Sequence, residues 1–338
     1  MSVGLDIGSK TIKVVELSNE RNIISLKTAS IVGHASADID KMQEDADFAN
    51  IAGVIKKLWN DAKVSSNKVA ISLPESAVFS RIVRFPMLSD QEVASAIRWE
   101  AEEYIPIPPK EAVISYQIVE KKESASPPEV VVLLIASPRN IVEKYVKLVE
   151  IAGLTVVGVE TSLLSLVRAL APVNQTAVLM DFGAKSTNLA ISKNGQLLLS
   201  RSIPTAGDAF TRAVAQSLGV SESQADEYKR AYGMDNDQVG VKIGGALGPI
   251  FRIVSEEVKK AVHFYQNDES ADVPSILILS GGTSGLPGIV PTMTRLLGME
   301  VLIGNPFSKI AVDPKIVADL ESYSPLYSVA VGLALRND

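Results

Sequence analysis

The sequence predicts an α/β protein built from two similar halves that face each other across a cleft. Strand-like and helix-like stretches alternate along the whole chain, which is typical of α/β architecture. In addition, the pattern of residues 4–11 recurs at residues 179–187, with Asp6 matching Asp181. Each copy is an apolar strand followed by Asp, an apolar residue, Gly, a small residue, Lys and hydroxyl residues. The two copies lie about one domain length apart, which indicates a duplication.

The composition excludes several classes of protein. The chain has 338 residues, with 33 Lys and Arg against 39 Asp and Glu and a net charge of −6. This length supports two domains with large cores, and the acidic balance argues against nucleic-acid binding, which usually needs a basic surface. The absence of cysteine excludes disulfides, thiolate metal sites and a cysteine nucleophile, and two distant histidines, His34 and His263, cannot form a histidine-rich metal cluster. The longest apolar run, residues 130–136, is far too short for a membrane span.

The first stretch of the chain is predicted to form a sheet with a covering helix. Apolar segments at residues 3–7, 11–17, 23–32 and 68–73 predict strands. Between residues 48 and 58 the apolar side chains keep helical spacing.

Residues 85–153 form a distinct block, which we predict to be an inserted subdomain. Ser89 and Glu92 make a capping-box pattern that starts a helix, and the proline-rich segment 106–109 ends this helix near residue 104. The remaining elements of the block are two strands and a helix, predicted at 112–120, 130–136 and 139–152.

The rest of the chain continues the alternation. The predicted strands are 154–159, 177–182, 186–192, 196–203 and 275–279. The predicted helices are 161–170, 208–218, 221–232 and 247–266, followed by two further helical segments. The resulting boundaries are residues 1–84 and 154–172 for the first domain, 85–153 for the insertion, 173–325 for the second domain and 326–338 for a C-terminal helix.

Each copy of the repeat has the composition of a phosphate-binding turn. Glycine lets backbone amides approach an anion closely, and the hydroxyl residues add donors. A carboxylate beside a phosphate is explained if Mg²⁺ lies between them, held mainly through water. Two such hairpins would clamp a polyphosphate from opposite sides, whereas the alternative is an ordinary hairpin turn in each half.

A glycine-rich loop, residues 280–288, follows a buried strand and opens a helix. Such a turn can approach a flat base or a sugar without side-chain collision, although glycine-rich loops between strands and helices are also common without a ligand. Neither the P-loop pattern nor the dinucleotide-binding glycine pattern occurs in the chain.

The two Asp-x-Gly hairpins and the Ser-Gly-Gly-Thr-Ser-Gly-Leu-Pro-Gly loop, in this order, resemble the actin-like ATPase superfamily. The segment at residues 96–108, which reads AIRWEAEEYIPIP, resembles the PilM family of type IV pilus assembly proteins, which is related to the cell-division protein FtsA. The resemblance covers essentially the whole chain. It implies an actin-like ATPase fold, with two duplicated RNase H-like domains around a nucleotide cleft and an inserted subdomain of the FtsA and PilM type.

The resemblance also implies ATP and Mg²⁺ as cofactors, with the carboxylates of Asp6 and Asp181 toward the metal. The residues that match the first phosphate loop are Asp6, Gly8, Ser9, Lys10 and Thr11, and those that match the second are Asp181, Gly183, Ala184, Ser186 and Thr187. The residues that match the adenosine loop are Gly281, Gly282, Thr283 and Leu286. Asp226 and Lys229 match an acid and a lysine near the ribose and base, and Gly207 and Asp208 match a loop near the nucleotide.

Glu160 stands where relatives carry a residue that orients the attacking water, and the alternative is a carboxylate favoured at a helix start. The second loop has Ala184 and Lys185 where many relatives have glycines, and Thr283 replaces a common third glycine. We therefore expect slow hydrolysis, since a misplaced terminal phosphate loses electrostatic stabilisation.

The resemblance implies a partner, the cytoplasmic N-terminal tail of a PilN-like inner-membrane protein. We expect this tail to bind the inserted subdomain, with the adjoining first domain, near Arg84, Ile97, Tyr104, Ile105 and Ile107. The alternative is that these residues only dock the insertion onto its neighbour.

The leading hypothesis is an ATP-binding scaffold at the cytoplasmic face of the inner membrane, attached there through its partner. Self-association is left open. The competing hypotheses are an FtsA-like division protein, which would need a C-terminal amphipathic helix, and a metabolic kinase, which would need a carboxylate base beside an acceptor pocket.

Overall fold

Thirteen strands and ten α-helices form the protein in this computed structural model, which describes residues 2–34, 38–124, 126–235, 238–267 and 272–336. The strands are β1 (Ser2–Ile7), β2 (Thr11–Glu20), β3 (Ile23–Gly33), β4 (Lys68–Leu73), β5 (Phe79–Pro86), β6 (Ala112–Lys122), β7 (Glu129–Pro138), β8 (Thr155–Thr161), β9 (Thr176–Phe182), β10 (Thr187–Lys193), β11 (Gln196–Ile203), β12 (Ile276–Ser280) and β13 (Glu300–Ile303). The helices are α1 (Asp45–Asp61), α2 (Asp90–Tyr104), α3 (Arg139–Ile151), α4 (Ser162–Leu170), α5 (Gly207–Leu218), α6 (Glu222–Tyr232), α7 (Gln238–Gln266), α8 (Ile289–Leu297), α9 (Val317–Glu321) and α10 (Ser328–Ala334).

Two five-stranded sheets share one topology, which confirms the predicted duplication. The first has the strand order β3-β2-β1-β4-β8 and the second the order β11-β10-β9-β12-β13. In both, the first three strands are antiparallel and the last two join in parallel. The repeated Asp-x-Gly motifs therefore lie at the same turn of two equivalent hairpins, β1-β2 and β9-β10.

The inserted subdomain is a three-stranded antiparallel sheet, β5-β7-β6, covered on one face by α2. The helix begins with the predicted capping box, since the Ser89 side chain accepts from the Glu92 amide and the Glu92 carboxylate accepts from the Ser89 amide. Two boundaries differ from the prediction. The sheet already begins at Phe79, because β5 pairs along its whole length with β7, and α3 packs into the core of the first domain, where Tyr145 and Leu148 are buried.

The two domains meet through α4 and α10 at the base of the cleft. Buried leucines of α4 pack against the second sheet, and α10, which is buried along its whole length, packs against the first. Both contacts are close: a Cβ on Gly4 of β1 would lie 2.1 Å from the carbonyl oxygen of Ala330, and one on Gly332 of α10 would lie 1.9 Å from that of Ser165. Helix α10 is therefore part of the first domain.

Candidate functional site

A cavity of about 940 Å³ lies between the two domains. Its walls come from both hairpins, residues 34 and 38–40 after β3, the start of α5, residues 226–230 of α6, the glycine loop after β12 and the segment before α10. Every predicted cofactor-binding residue except Thr187 lines it. Thr187 is fully buried, and its hydroxyl donates to the carbonyl of Thr205 at 2.7 Å, so this residue holds the base of the second hairpin.

The two hairpins present one carboxylate each at equivalent positions. In the first, Asp6 lies opposite Lys13, whose Nζ is 2.9 Å from Asp6 Oδ2. In the second, Asp181 lies opposite Asn188, an uncharged residue. Burial, with the nearby charge of Asp6, raises the pKa of Asp181 to about 6, although Lys13 and Asn188 act in the opposite direction. Of the two hairpin carboxylates, Asp6 is therefore neutralised, whereas the negative charge of Asp181 is poorly compensated.

This pair of carboxylates fits a hydrated Mg²⁺, a hard cation that prefers oxygen ligands and keeps several of its waters. Within the described residues there is no group of three or more His, Cys, Asp or Glu side chains that could hold a metal ion. Asp6 and Asp181 would hold the ion mainly through water and through a bound phosphate.

Both glycine turns have the same internal hydrogen bond. The amide of Gly8 donates to the carbonyl of Thr11 at 3.0 Å, and the amide of Gly183 donates to that of Ser186 at 3.2 Å. A Cβ on either glycine would lie about 3 Å from the same carbonyl oxygen, so a side chain would disturb both turns.

The glycine loop after β12 comes directly against the second hairpin. Gly281 has φ +82°, and a Cβ there would lie 2.5 Å from Asp181 Oδ1. The hydroxyl of Thr283 donates to the carbonyl of Gly183 at 2.9 Å. Beside this loop, the side chains of Leu286 and Leu326 give the cavity an apolar end.

Asp226 and Lys229 lie together at the edge of the cavity, on α6. Lys229 is buried and donates to Asp226 Oδ1 at 2.7 Å, to Thr211 Oγ1 at 2.8 Å and to the Gly207 carbonyl at 3.2 Å. Burial alone would raise the pKa of Asp226, but hydrogen bonds from Lys229 and Arg230 lower it to about 2. Lys229 thus joins α5 to α6, and Asp226 stays ionised beside the cavity.

Two ion pairs cross the cleft, and each uses the lysine of one hairpin. Lys10 of the first domain contacts Asp208 at the start of α5, and Lys185 of the second contacts Asp38 in the segment after β3. The hydrogen bond from Lys185, followed by that from Lys41, holds the pKa of Asp38 below its usual range. These pairs bridge the two halves at the mouth of the cavity.

Several residues that line the cavity were not predicted from the sequence. Lys13 and Asn188 are strand positions opposite the two aspartates; a lysine within the apolar run 12–15 was a signal for the first. Asp38 and Tyr145 also line the cavity, but no motif marks them.

Glu160 is held in a half-buried ion pair at the end of β8, which differs from the predicted role of orienting water. Its two oxygens accept from Arg168 at 2.6 and 2.8 Å, and Oε1 also accepts from the Ser165 hydroxyl. Arg168 donates further to the carbonyl of Gly332 in α10. Glu160 is not among the residues that line the cavity, so these contacts assign it to the joint between β8, α4 and α10.

The predicted partner residues do not form one surface. Ile97 and Ile105 are 2% and 8% exposed and belong to the core of the inserted subdomain, against which Ile107 also packs. Burial of Ile97 and Ile105 leaves their side chains unavailable to a peptide, which corrects the prediction for these two residues.

The other two candidates are accessible but lie apart. Tyr104 is 36% exposed and packs on the guanidinium of Arg81, 3.8 Å from the ring centre. Arg84 pairs with Glu129 at 2.8 Å. Because residues alternate between the faces of a strand, Arg81 and Arg84 of β5 point to opposite faces of the sheet, so Tyr104 and Arg84 lie on different sides.

Two domains of equal topology around a glycine-lined cleft have the architecture of the actin-like ATPase fold. The sequence matches the family described as type IV pilus assembly protein PilM over residues 4–338. The chain therefore belongs to the PilM family of type IV pilus assembly proteins.

Known relatives agree with this assignment. The structure is similar to a chain of the PilM-PilN type IV pilus biogenesis complex, with a TM-score of 0.84 and 29% identity over 99% of this chain and 98% of that one. It also resembles MreB5 of Spiroplasma citri bound to AMPPNP, with a TM-score of 0.53 and 14% identity over 98% of this chain and 93% of that one, which shows the shared fold. Cell division protein FtsA of Streptococcus pneumoniae is 24% identical over 90% of this chain and 75% of its own length. Across the residues that the structure describes, no helix combines the length and apolar character needed to span a membrane.

Proposed function

We propose that the chain binds Mg²⁺-ATP in the cleft between its two domains. The observation that carries this proposal is the pair of equivalent hairpins, whose carboxylates Asp6 and Asp181 face one cavity beside the glycine loop at Gly281. The similarity in fold to MreB5, which was solved with AMPPNP, supports the same reading.

Different residues of the cavity suit the phosphates, the base and the ribose of the nucleotide. The amides of Gly8 and Gly183 close their own turns, so the hydroxyls and the other amides of the turns at residues 8–11 and 183–186 are the donors for the phosphates. The apolar end near Leu286 suits a purine base, and the ionised Asp226 can accept from ribose hydroxyls. A bound Mg²⁺ would supply the positive charge that Asp181 lacks.

Turnover in this site should be slow or absent. The second turn carries Ala184 and Lys185, and Lys185 is engaged by Asp38 of the other domain. Glu160, the residue expected to orient water, is saturated by Arg168 and Ser165. Without a positioned water the chain would hold ATP rather than consume it quickly.

The biological role that follows is a scaffold of the pilus assembly platform at the cytoplasmic face of the inner membrane. We propose that the inserted subdomain recruits the N-terminal tail of a PilN-like membrane protein, which also provides the attachment to the membrane. Membership of the PilM family and similarity to a chain of the PilM-PilN complex support this role.

ATP binding is tested by thermal unfolding of nucleotide-stripped protein with ATP, with and without Mg²⁺. A ligand present at 100 times its dissociation constant stabilises a protein by about 2.7 kcal/mol. We expect a rise of several degrees with Mg²⁺-ATP and a smaller one without the metal. An unchanged melting temperature at millimolar Mg²⁺-ATP would contradict the proposal.

Partner binding is tested by capture of a PilN-like tail peptide with two single variants, Tyr104→Ala and Arg84→Ala. Trp99→Ala is the matched control, since Trp99 lies on α2 but is 76% exposed and outside the core of the subdomain. Loss of capture in one variant, with ATP affinity unchanged, identifies the face of the sheet that binds the tail. Full capture by both variants would place the tail elsewhere.

A further inference from the structure

The carbonyl oxygens of the two turn glycines are both fixed, but by different groups. In the second hairpin, the Gly183 carbonyl accepts from the amide of Gly207 at 3.1 Å and from the hydroxyl of Thr283 at 2.9 Å. In the first hairpin, the Gly8 carbonyl accepts from the imidazole Nε2 of His34 at 2.8 Å. A carbonyl can only accept, so Nε2 carries the hydrogen.

His34 stands at the position that Gly207 serves in the other half. It follows directly on Gly33, the last residue of β3, just as the segment leading to Gly207 follows β11. Strands β3 and β11 are the equivalent edge strands of the two sheets. In the first domain the side chain of His34 therefore donates to the turn carbonyl, whereas in the second domain the N-terminus of α5 donates to the equivalent carbonyl.

His34 forms hydrogen bonds to both ends of the turn at residues 8–10. Besides the bond to Gly8, its own amide donates to the carbonyl of Lys10 at 3.0 Å. The peptide group is planar and trans, so the direction of the Gly8 carbonyl fixes the opposite direction of the Ser9 N–H. A donor that draws the Gly8 carbonyl to one side thus sets where the Ser9 amide points.

We infer that His34 is a positioning residue of the first phosphate loop, which orders the amides of Ser9 and Lys10 for the phosphates of a nucleoside di- or triphosphate. The inference rests on the proposed function of the cleft. The two can be tested separately, because His34 would affect only the binding of the phosphates, whereas residues of the second domain would hold the base and ribose.

The test compares wild type with His34→Ala, which removes the donor, and His34→Gln, which keeps a side-chain N–H. His263→Ala, which changes the chain's other histidine on α7, is the matched control. Dissociation constants for ATP, ADP and adenosine are measured by calorimetry on the full chain. We expect His34→Ala to weaken ATP and ADP about 5- to 10-fold, the range for one lost hydrogen bond, and to leave adenosine unchanged. His34→Gln should recover most of the loss.

A second readout needs no nucleotide. Hydrogen exchange of the ligand-free proteins should speed up in residues 8–12 of His34→Ala and nowhere in the second domain. Equal weakening of ATP and adenosine, or unchanged exchange in residues 8–12, would overturn the inference even if wild type binds ATP. Failure of wild type to bind ATP or ADP would overturn the proposed function, and the positioning role with it.

Discussion

The two equivalent aspartates of the hairpins should respond in opposite directions to the same substitution. Asp181→Asn should stabilise the ligand-free protein at neutral pH, because it removes a carboxylate whose charge is poorly compensated. Asp6→Asn should destabilise it, because Asp6 neutralises Lys13, which is only 8% exposed. The two changes are chemically identical and occupy matching positions of one duplicated hairpin, so each is the control for the other.

The magnitude follows from the pKa of Asp181, which rises from an ordinary 3.8 to about 6 in the folded chain. A shift of that size corresponds to about 3 kcal/mol, since each pKa unit is worth about 1.4 kcal/mol. Asp181 is partly open to the cleft, so we expect water to reduce the gain to about 1–2 kcal/mol. Asp6→Asn should cost about 1–3 kcal/mol, the range for a lost hydrogen bond to a charged group.

The sign of the pH dependence is fixed by the same shift. The folded chain binds the Asp181 proton more tightly than the unfolded chain does, so the contribution of Asp181 to stability falls as pH rises between about 4 and 6. The gain from Asp181→Asn should therefore be complete above about pH 7 and absent below about pH 4.

Thermal unfolding of nucleotide-stripped, metal-free protein at a series of pH values measures these effects. We expect the melting temperature of Asp181→Asn to exceed that of wild type by about 2–5 °C at pH 8, and the dependence of ATP binding on Mg²⁺ to be lost. A lower melting temperature for Asp181→Asn at pH 8, or a gain that persists unchanged at pH 4, would refute the reasoning.

Two further predictions concern the closure of the cleft and the glycine loop. Asp38→Lys should increase the population of open forms about 2- to 5-fold, because it turns the attraction between Asp38 and Lys185 across the cleft into repulsion. Lys185→Asp in the same chain should restore closure. Spin labels on one introduced cysteine per domain would measure the interdomain distance in the cysteine-free sequence, and identical distance distributions in all variants would contradict the prediction. Gly281→Ala should lower stability by about 1–3 kcal/mol and weaken ATP binding, because φ is +82° and the added Cβ would meet Asp181 Oδ1 at 2.5 Å. Gly285→Ala, where no atom lies within 4 Å of the added Cβ, should leave both thermal unfolding and nucleotide titration unchanged; equal losses in the two variants would contradict the role of the Gly281 conformation.

The sequence was informative where function depends on local pattern. The Asp-x-Gly turns and the glycine loop are contiguous motifs, and all of them line the cavity. Lys13 and Asn188 were missed because their meaning comes from strand pairing across the hairpin, which a linear pattern does not show. Glu160 was assigned by position alone, and its partner Arg168 becomes visible only when α4 turns back along β8.

Tertiary packing also overrode local signals in the longest helix. The glycines near residue 245 and Pro249 favoured a helix that starts at residue 247, yet α7 runs from Gln238 to Gln266 with Pro249 inside it. The buried residues Ile243, Leu247 and Phe251 recur every four positions and hold this segment against the second sheet. Their contacts outweigh the local preference for a break.

The contact between α10 and β1 has a consequence for how the protein is made. The second domain is one continuous stretch of chain, so it can fold as soon as that stretch has left the ribosome. The first domain begins with β1 but is covered by α10, which follows the second domain in the sequence and whose backbone lies directly on Gly4. Its sheet therefore stays partly uncovered until the second domain and α10 have been synthesised. We expect the domain that is synthesised first to finish folding last.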